Sequence, residues 1–230
     1  MSNGGEAGNR PGKPLDLPVS ELVSIPVGRV VLGGHLEIPR AAKGLVLFAH
    51  GSGSSRHSSR NQFVASVLRE AGNGTLLFDL LTLAEERDDA ATGHLRFDIH
   101  LLAERLEAAT HWAGLHLAAR QLPIGYFGSS TGGAAALLAA ATLRSSVDAV
   151  VSRGGRPDLA REALPLVSAP TLLIVGELDD TVLRLNESAY EELKCHKALA
   201  IVPRATHLFE EQGALEEVAR LAADWFRKHI

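Results

Sequence analysis

Apolar residues fall along this chain in two alternating rhythms. Short runs with almost no polar interruption recur at 44–49 (GLVLFA), 75–81 (TLLFDLL), 123–128 (PIGYFG), 147–152 (VDAVVS), 170–176 (PTLLIVG) and 197–203 (KALAIVP). Runs of this kind are expected of strands covered on both faces of a sheet. Between them, apolar residues return every three or four positions, the spacing of one helical face. Phe63, Val64, Val67, Leu68 and Ala71 form such a stripe in 58–71, and Leu215, Val218, Ala222, Trp225 and Phe226 form another in 215–229. Further helices are predicted over 99–113, 130–143, 159–166 and 182–193. Strands are also predicted at 22–27 and 28–38, joined without a helix and therefore antiparallel. The acid-rich stretch 82–96, containing EERDD, reads as a mobile polar connection.

Strand-helix alternation with short buried strands predicts an α/β protein. The expected architecture is a mostly parallel eight-stranded sheet with helices on both faces and no large cap domain. Residues 1–18 read as a flexible polar leader and 19–230 as one domain. Composition adds boundaries to that picture. The chain of 230 residues is 46% hydrophobic and carries a formal net charge of −4, which offers no basic footprint for nucleic acid or for an anionic membrane. A lone cysteine, Cys195, leaves no internal disulfide to form, and with no signal-peptide pattern the expected location is cytoplasmic.

In sheets of this kind ligands bind beyond the carboxyl ends of the strands. At 125–138 (GYFGSSTGGAAALL) a strand pattern turns abruptly into a helix pattern around several hydroxyls. Gly128-Ser129-Ser130-Thr131-Gly132 fits G-x-S-x-G, the tight turn that exposes a nucleophilic serine, with Ser130 at its centre. Neither nucleotide-binding glycine pattern fits there. The strand at 170–176 is followed by Asp179 and Asp180, and the strand at 197–203 by His207. Ser, Asp, His is the chain order of the α/β-hydrolase triad. The chemistry needs those types: the hydroxyl requires a base, histidine titrates near neutrality, and a carboxylate fixes its tautomer. For the oxyanion, the N–H of Thr131 and the backbone at Ser52, in the flexible HGSGS turn, are the candidate donors. His50 reads as a strand-end residue that braces that turn.

The stretches LFAHGSGSSRHS, GYFGSSTGG, VSRGGRPDLA and ATHLFEE resemble the small, capless α/β-hydrolases of the dienelactone-hydrolase-like group, from about residue 45 onward. The resemblance implies hydrolysis of an ester, lactone or similar acyl bond. It also favours Asp179 over Asp180, because members carry the acid as G-x-x-D, matched here by Gly176-Glu177-Leu178-Asp179. Asp180 would then cap the following helix, and Asp158 is the next candidate acid. Dienelactone hydrolases themselves use a cysteine nucleophile where this chain has Ser130, so the resemblance reaches the machinery and not that substrate.

Arg56, Arg153 and Arg156 lie in turns expected to face the site. They are candidates for binding a substrate carboxylate or phosphate, against a reading as solvated residues or ion pairs with the 85–89 acids. No cofactor or metal is expected, and the partner is a small-molecule acyl substrate. The sequence carries no signal for oligomeric state. An acyltransferase or haloperoxidase-like enzyme on the same triad, and a non-catalytic binding module, are the competing functions.

Overall fold

In the computed structural model, residues 17–117 and 121–230 are described; most of the expected leader lies outside them. The strands are β1 (Val19–Val27), β2 (Val30–Ile38), β3 (Leu45–Ala49), β4 (Gly74–Phe78), β5 (Ile124–Ser129), β6 (Ala149–Arg153), β7 (Thr171–Gly176) and β8 (Lys197–Val202). They form an eight-stranded sheet in the order β1-β2-β4-β3-β5-β6-β7-β8. β2 runs antiparallel to both neighbours, and every later pairing is parallel. The central strands β3, β4, β6 and β7 are buried at every residue, whereas the edge strands β1 and β8 are not. That is why the central strands read as unbroken apolar runs.

Six α-helices cover the sheet: α1 (Ser59–Glu70), α2 (Leu83–Thr92), α3 (Ile99–His116), α4 (Thr131–Leu143), α5 (Asp180–Glu192) and α6 (Ala214–His229). On one face, Val46, Phe48, Phe127 and Val151 pack against α1 and α6. On the other, Leu45, Leu47, Tyr126 and Val150 pack against α3 and α4. α4 is nearly all Ala, Leu and Gly and is buried along most of its length, which brings the helix close to the sheet. Between β6 and β7 there is only a 3-10 segment, Pro157–Leu166, and no room for a cap. No helix among the described residues is long and apolar enough to cross a membrane.

Three expectations need correction. The run at 75–81 stops being a strand at Phe78, so Asp79, Leu80 and Leu81 belong to a turn. Phe63, expected inward, is exposed; Asn61 joins Val64, Ala65 and Leu68 on the buried face of α1. The stretch 82–96 is not a loop, since it contains α2. Thr82 Oγ1 accepts from the Glu85 N–H while the Glu85 carboxylate accepts from the Thr82 N–H, a reciprocal capping box. Arg105 of α3 then donates to the same carboxylate at 2.7 Å, docking α2 against the domain.

Candidate active site

The turn after β5 is set by close backbone approaches. A Cβ on Gly128 would lie 2.4 Å from the Gly132 carbonyl oxygen, and one on Gly132 would lie 2.1 Å from that of Ala49. Glycine is therefore required at both positions for α4 to start this close to β3 and β5. Between them Ser130 adopts φ 51° and ψ −120°, a region that costs a non-glycine residue about 1–3 kcal/mol. Backbone bonds hold it there: its N–H donates to the Arg153 carbonyl (3.2 Å), and its carbonyl accepts from Gly133 (3.0 Å) and Arg156 (3.1 Å). The two serines are thereby separated. Ser129 is buried and its hydroxyl donates to Asn61 Oδ1 at 3.2 Å, while Ser130 is half-buried at the apex of the turn.

The turns after β7 and β8 are stitched together. Glu177 N–H donates to the Val202 carbonyl and Leu178 N–H to that of Ala205, each at 2.9 Å. This brings Asp179 to His207, whose Nδ1 donates to Asp179 Oδ2 at 2.6 Å. The carboxylate is the more enclosed partner, 13% exposed against 39% for the imidazole. The ring packs over Gly154, where a Cβ would sit 3.4 Å from His207 Nδ1 and Cε1. Since Gly154 follows the residue whose carbonyl holds the Ser130 N–H, the imidazole and the serine turn flank one peptide unit. Among the described residues the hydrogen bond of the His207 ring is the one to Asp179, and none joins it to the Ser130 hydroxyl.

Asp180 points elsewhere. It is exposed and is the first residue of α5, so the expected capping role does not apply; Asp179 occupies the boundary position with its side chain turned to His207. Asp158 is engaged by Arg156 at 2.8 and 2.7 Å. Cys195 lies at the opposite end of the sheet, its Sγ 3.7 Å from Thr171 Oγ1 at the start of β7.

Beside Ser130 opens a cavity of about 340 Å³ whose walls include Gly51, Ser52, Leu80, Glu86, Arg96 and Thr131. Thr131 is the first residue of α4, where backbone N–H groups lack intrahelical acceptors. Neither its N–H nor that of Ser52 donates to another described backbone group outside regular elements. The 51–55 turn is pinned by His50, whose Nε2 accepts from the Leu80 N–H at 3.0 Å and whose Nδ1 donates to the Gly51 carbonyl at 3.0 Å. Burial lowers the His50 pKa, against smaller opposing effects of Gly51 and Asp79, so the ring stays neutral in the tautomer those bonds require.

The three arginines do not converge. The Arg56 guanidinium pairs with Asp79, whose other oxygen accepts from the Arg56 N–H at 2.8 Å. Arg156 is taken by Asp158, and that bonding raises its pKa. Arg153 is buried with its guanidinium 5.8 Å from the Phe209 ring centre; burial, then Arg60, lowers its pKa to about 10. Ion pairing was anticipated, but the partners are Asp79 and Asp158 and not the 85–89 acids. What sequence reasoning missed is the α2 wall with Glu86 and Arg96. The signal was present: Thr82-Leu83-Ala84-Glu85 is a capping-box pattern. Among the described residues, no three His, Cys, Asp or Glu side chains are grouped to hold a metal ion.

No family model matches the chain. A dienelactone hydrolase from Anabaena variabilis ATCC 29413, known from its crystal structure, is 59% identical, with a TM-score of 0.90 over 93% of this chain and 99% of that one. Est1E from Butyrivibrio proteoclasticus shares the fold, with 17% identity and a TM-score of 0.74 over 90% of this chain and 98% of its own. Two curated relatives from Mycobacterium tuberculosis, strains CDC 1551 / Oshkosh and ATCC 25618 / H37Rv, are 56% identical over 210 residues, 91% of this chain. Both are named "Putative phosphoribosyl transferase", and the chain spans about half their length, 46%.

Proposed function

The chain belongs to the dienelactone-hydrolase-like α/β-hydrolases, and from that premise we propose that it is a serine hydrolase cleaving small esters, lactones or thioesters. One observation carries the reading: the 2.6 Å His207–Asp179 bond lies across a single peptide unit from the strained Ser130 turn. Ser130 Oγ attacks the substrate carbonyl carbon as His207 Nε2 takes the hydroxyl proton. Asp179 holds the proton on Nδ1 and stabilises the imidazolium. The carbonyl oxygen, now anionic, is bound by the N–H groups of Thr131 and Ser52 at the positive end of α4. Collapse of the tetrahedral intermediate expels the alcohol or thiol, which receives the proton from His207 and leaves an acyl-Ser130. Water, deprotonated by the same imidazole, attacks that ester; the acid departs and the Ser130 hydroxyl is restored.

The open cavity and the absence of a cap between β6 and β7 favour short, water-soluble substrates over long lipids. A cytoplasmic setting belongs to this reading, on the single cysteine and its lack of any internal disulfide partner. Phosphoribosyl transfer is the name of proteins twice the matched length. The matched part is 46% of their length, and in this chain it carries a serine elbow. The test is hydrolysis of p-nitrophenyl esters of increasing chain length by wild type, Ser129→Ala and Ser130→Ala. Activity on the shorter esters that is lost in Ser130→Ala and kept in Ser129→Ala is expected. Loss in Ser129→Ala alone overturns the assignment.

A further inference from the structure

The cavity beside Ser130 has an unbalanced charge. Its wall on α2 comes from the EERDD run, whose acids have different fates. Glu85 is consumed by the capping box and by Arg105. Asp89 is buried and accepts from the Leu95 N–H at 2.6 Å and from Arg96 Nε at 2.5 Å. Arg96 is spent in the same exchange, since its Nη2 donates to the Asp89 carbonyl at 2.8 Å. The Glu86 carboxylate, half-buried on the cavity wall, makes no ion pair and no hydrogen bond with another described residue; only the backbone N–H of Glu86 is engaged, donating to the Thr82 carbonyl at 2.8 Å. Its neighbours do not neutralise it: Asp79 repels it, and the nearby Arg56 is already bound to Asp79. His50 is neutral and both its ring nitrogens are occupied. One negative charge is left over.

A second observation concerns hydrogen bonding. The Thr131 side chain, 1% exposed, lines the same cavity, and its hydroxyl has no partner. Buried hydroxyls are ordinarily bonded, so this one is left with unmet hydrogen-bonding capacity in a residue of the cavity wall. We propose that Glu86 makes the cavity selective for substrates carrying a protonated amine there, with Thr131 Oγ1 as an accessory acceptor, and that it rejects carboxylates and phosphates. The inference rests on the hydrolase reading and deepens it. It assigns the site a substrate class whose charge is opposite to a phosphoribosyl group's.

Three p-nitrophenyl esters of equal chain length test it: those of 4-(dimethylamino)butanoic, 5-methylhexanoic and glutaric acids, respectively cationic, neutral and anionic near neutral pH. Each rate is corrected for the background given by Ser130→Ala, and only ratios of kcat/KM within one variant are compared. A half-buried carboxylate separates neighbouring members by on the order of tenfold, cation first and anion last. Glu86→Gln brings the ratios towards one, and Glu86→Lys inverts them. Burial and Asp79 raise the Glu86 pKa. The preference therefore fades on acidification above the ordinary glutamate range. The charged and titratable groups around it are Asp79, Arg56, Asp89, Arg96 and His50, and burial lowers the His50 pKa. Equal wild-type ratios, an anion preference, or ratios indifferent to Glu86→Gln overturn the proposal. The same acyl chains as primary amides, titrated calorimetrically into Ser130→Ala, report the order without turnover. Absence of esterase activity then defeats the hydrolase reading alone, whereas equal amide affinities defeat the charge assignment.

Discussion

The serine turn and the α2 wall face the same cavity and are built on opposite plans. Around Ser130 geometry comes from the backbone: Gly128 and Gly132 admit contacts no side chain would allow, and three main-chain bonds hold a strained φ. On α2 it comes from charged side chains, Glu85 on Arg105 and Asp89 on Arg96, with Glu86 left unmatched. Backbone contacts are indifferent to what lies in the cavity, so they suit a turn that must present one atom to any substrate. Side chains can be exchanged without rebuilding the fold, which suits discrimination among substrates. On the proposed reading the turn carries the reaction, and the wall carries its selectivity.

Breaking the turn has the largest expected effect. Gly132→Ala sets a methyl 2.1 Å from the Ala49 carbonyl oxygen, an overlap that only backbone movement relieves. Soluble yield and ester turnover should both fall drastically, with a loss above the 1–3 kcal/mol of ordinary overpacking. A protein with wild-type melting temperature and activity would show that α4 can start elsewhere.

Asp179→Asn comes next, because the amide cannot stabilise the imidazolium or hold its tautomer. In a comparable serine-protease triad the loss is on the order of 10⁴-fold in kcat, with little change in thermal melt. Asp180→Asn, exposed in the first turn of α5, should keep activity and lose a few tenths of a kcal/mol of helix-end stabilisation, ~0.5 kcal/mol. The reverse pattern would move the triad acid one residue along.

Smaller effects sharpen the other half of the comparison. Thr82→Ala removes half the capping box of α2 and should cost about 1 kcal/mol. It should disturb the relative rates for charged esters more than turnover of a neutral one. Equal loss for all three esters would argue that α2 supports the reaction itself. His50 links the two regions, and its effect depends on pH. Its folded pKa lies below the unfolded value, so between the two the unfolded chain binds more protons. The stability it supports is intact above the ordinary histidine pKa, about 6.5, and is lost as pH falls through its depressed folded value. His50→Gln should flatten that part of the stability profile; an unchanged acid limb would assign it to carboxylates.

Much of the sheet was legible because its central strands are buried on both faces and thus unbroken in apolarity; β3, β6 and β7 stand where their runs did. Ser130, Asp179 and His207 were legible for a different reason. Each follows a strand, and the end of a parallel strand is a position the topology determines. The α2 wall was hidden because its residues look solvated. Glu85 and Asp89 are charged yet find partners on α3 and beyond the helix, and hydropathy patterning does not register partnership. The same limit applied to Arg56 and Arg156, whose partners Asp79 and Asp158 are identified by three-dimensional proximity. Phe63 shows the converse: its spacing on α1 fits the apolar stripe, but Asn61 takes the inner position, where it meets Ser129.

The central claim is that the backbone turn makes Ser130, and not its neighbour, the nucleophile. A fluorophosphonate is attacked at phosphorus by an activated serine, expels fluoride and leaves a stable adduct, which peptide mass spectrometry locates to a single residue. Treated wild-type protein should carry one adduct, on Ser130; Ser129→Ala should be labelled at a similar rate and Ser130→Ala not at all. An adduct on Ser129, or rapid labelling that survives Ser130→Ala, would contradict the account.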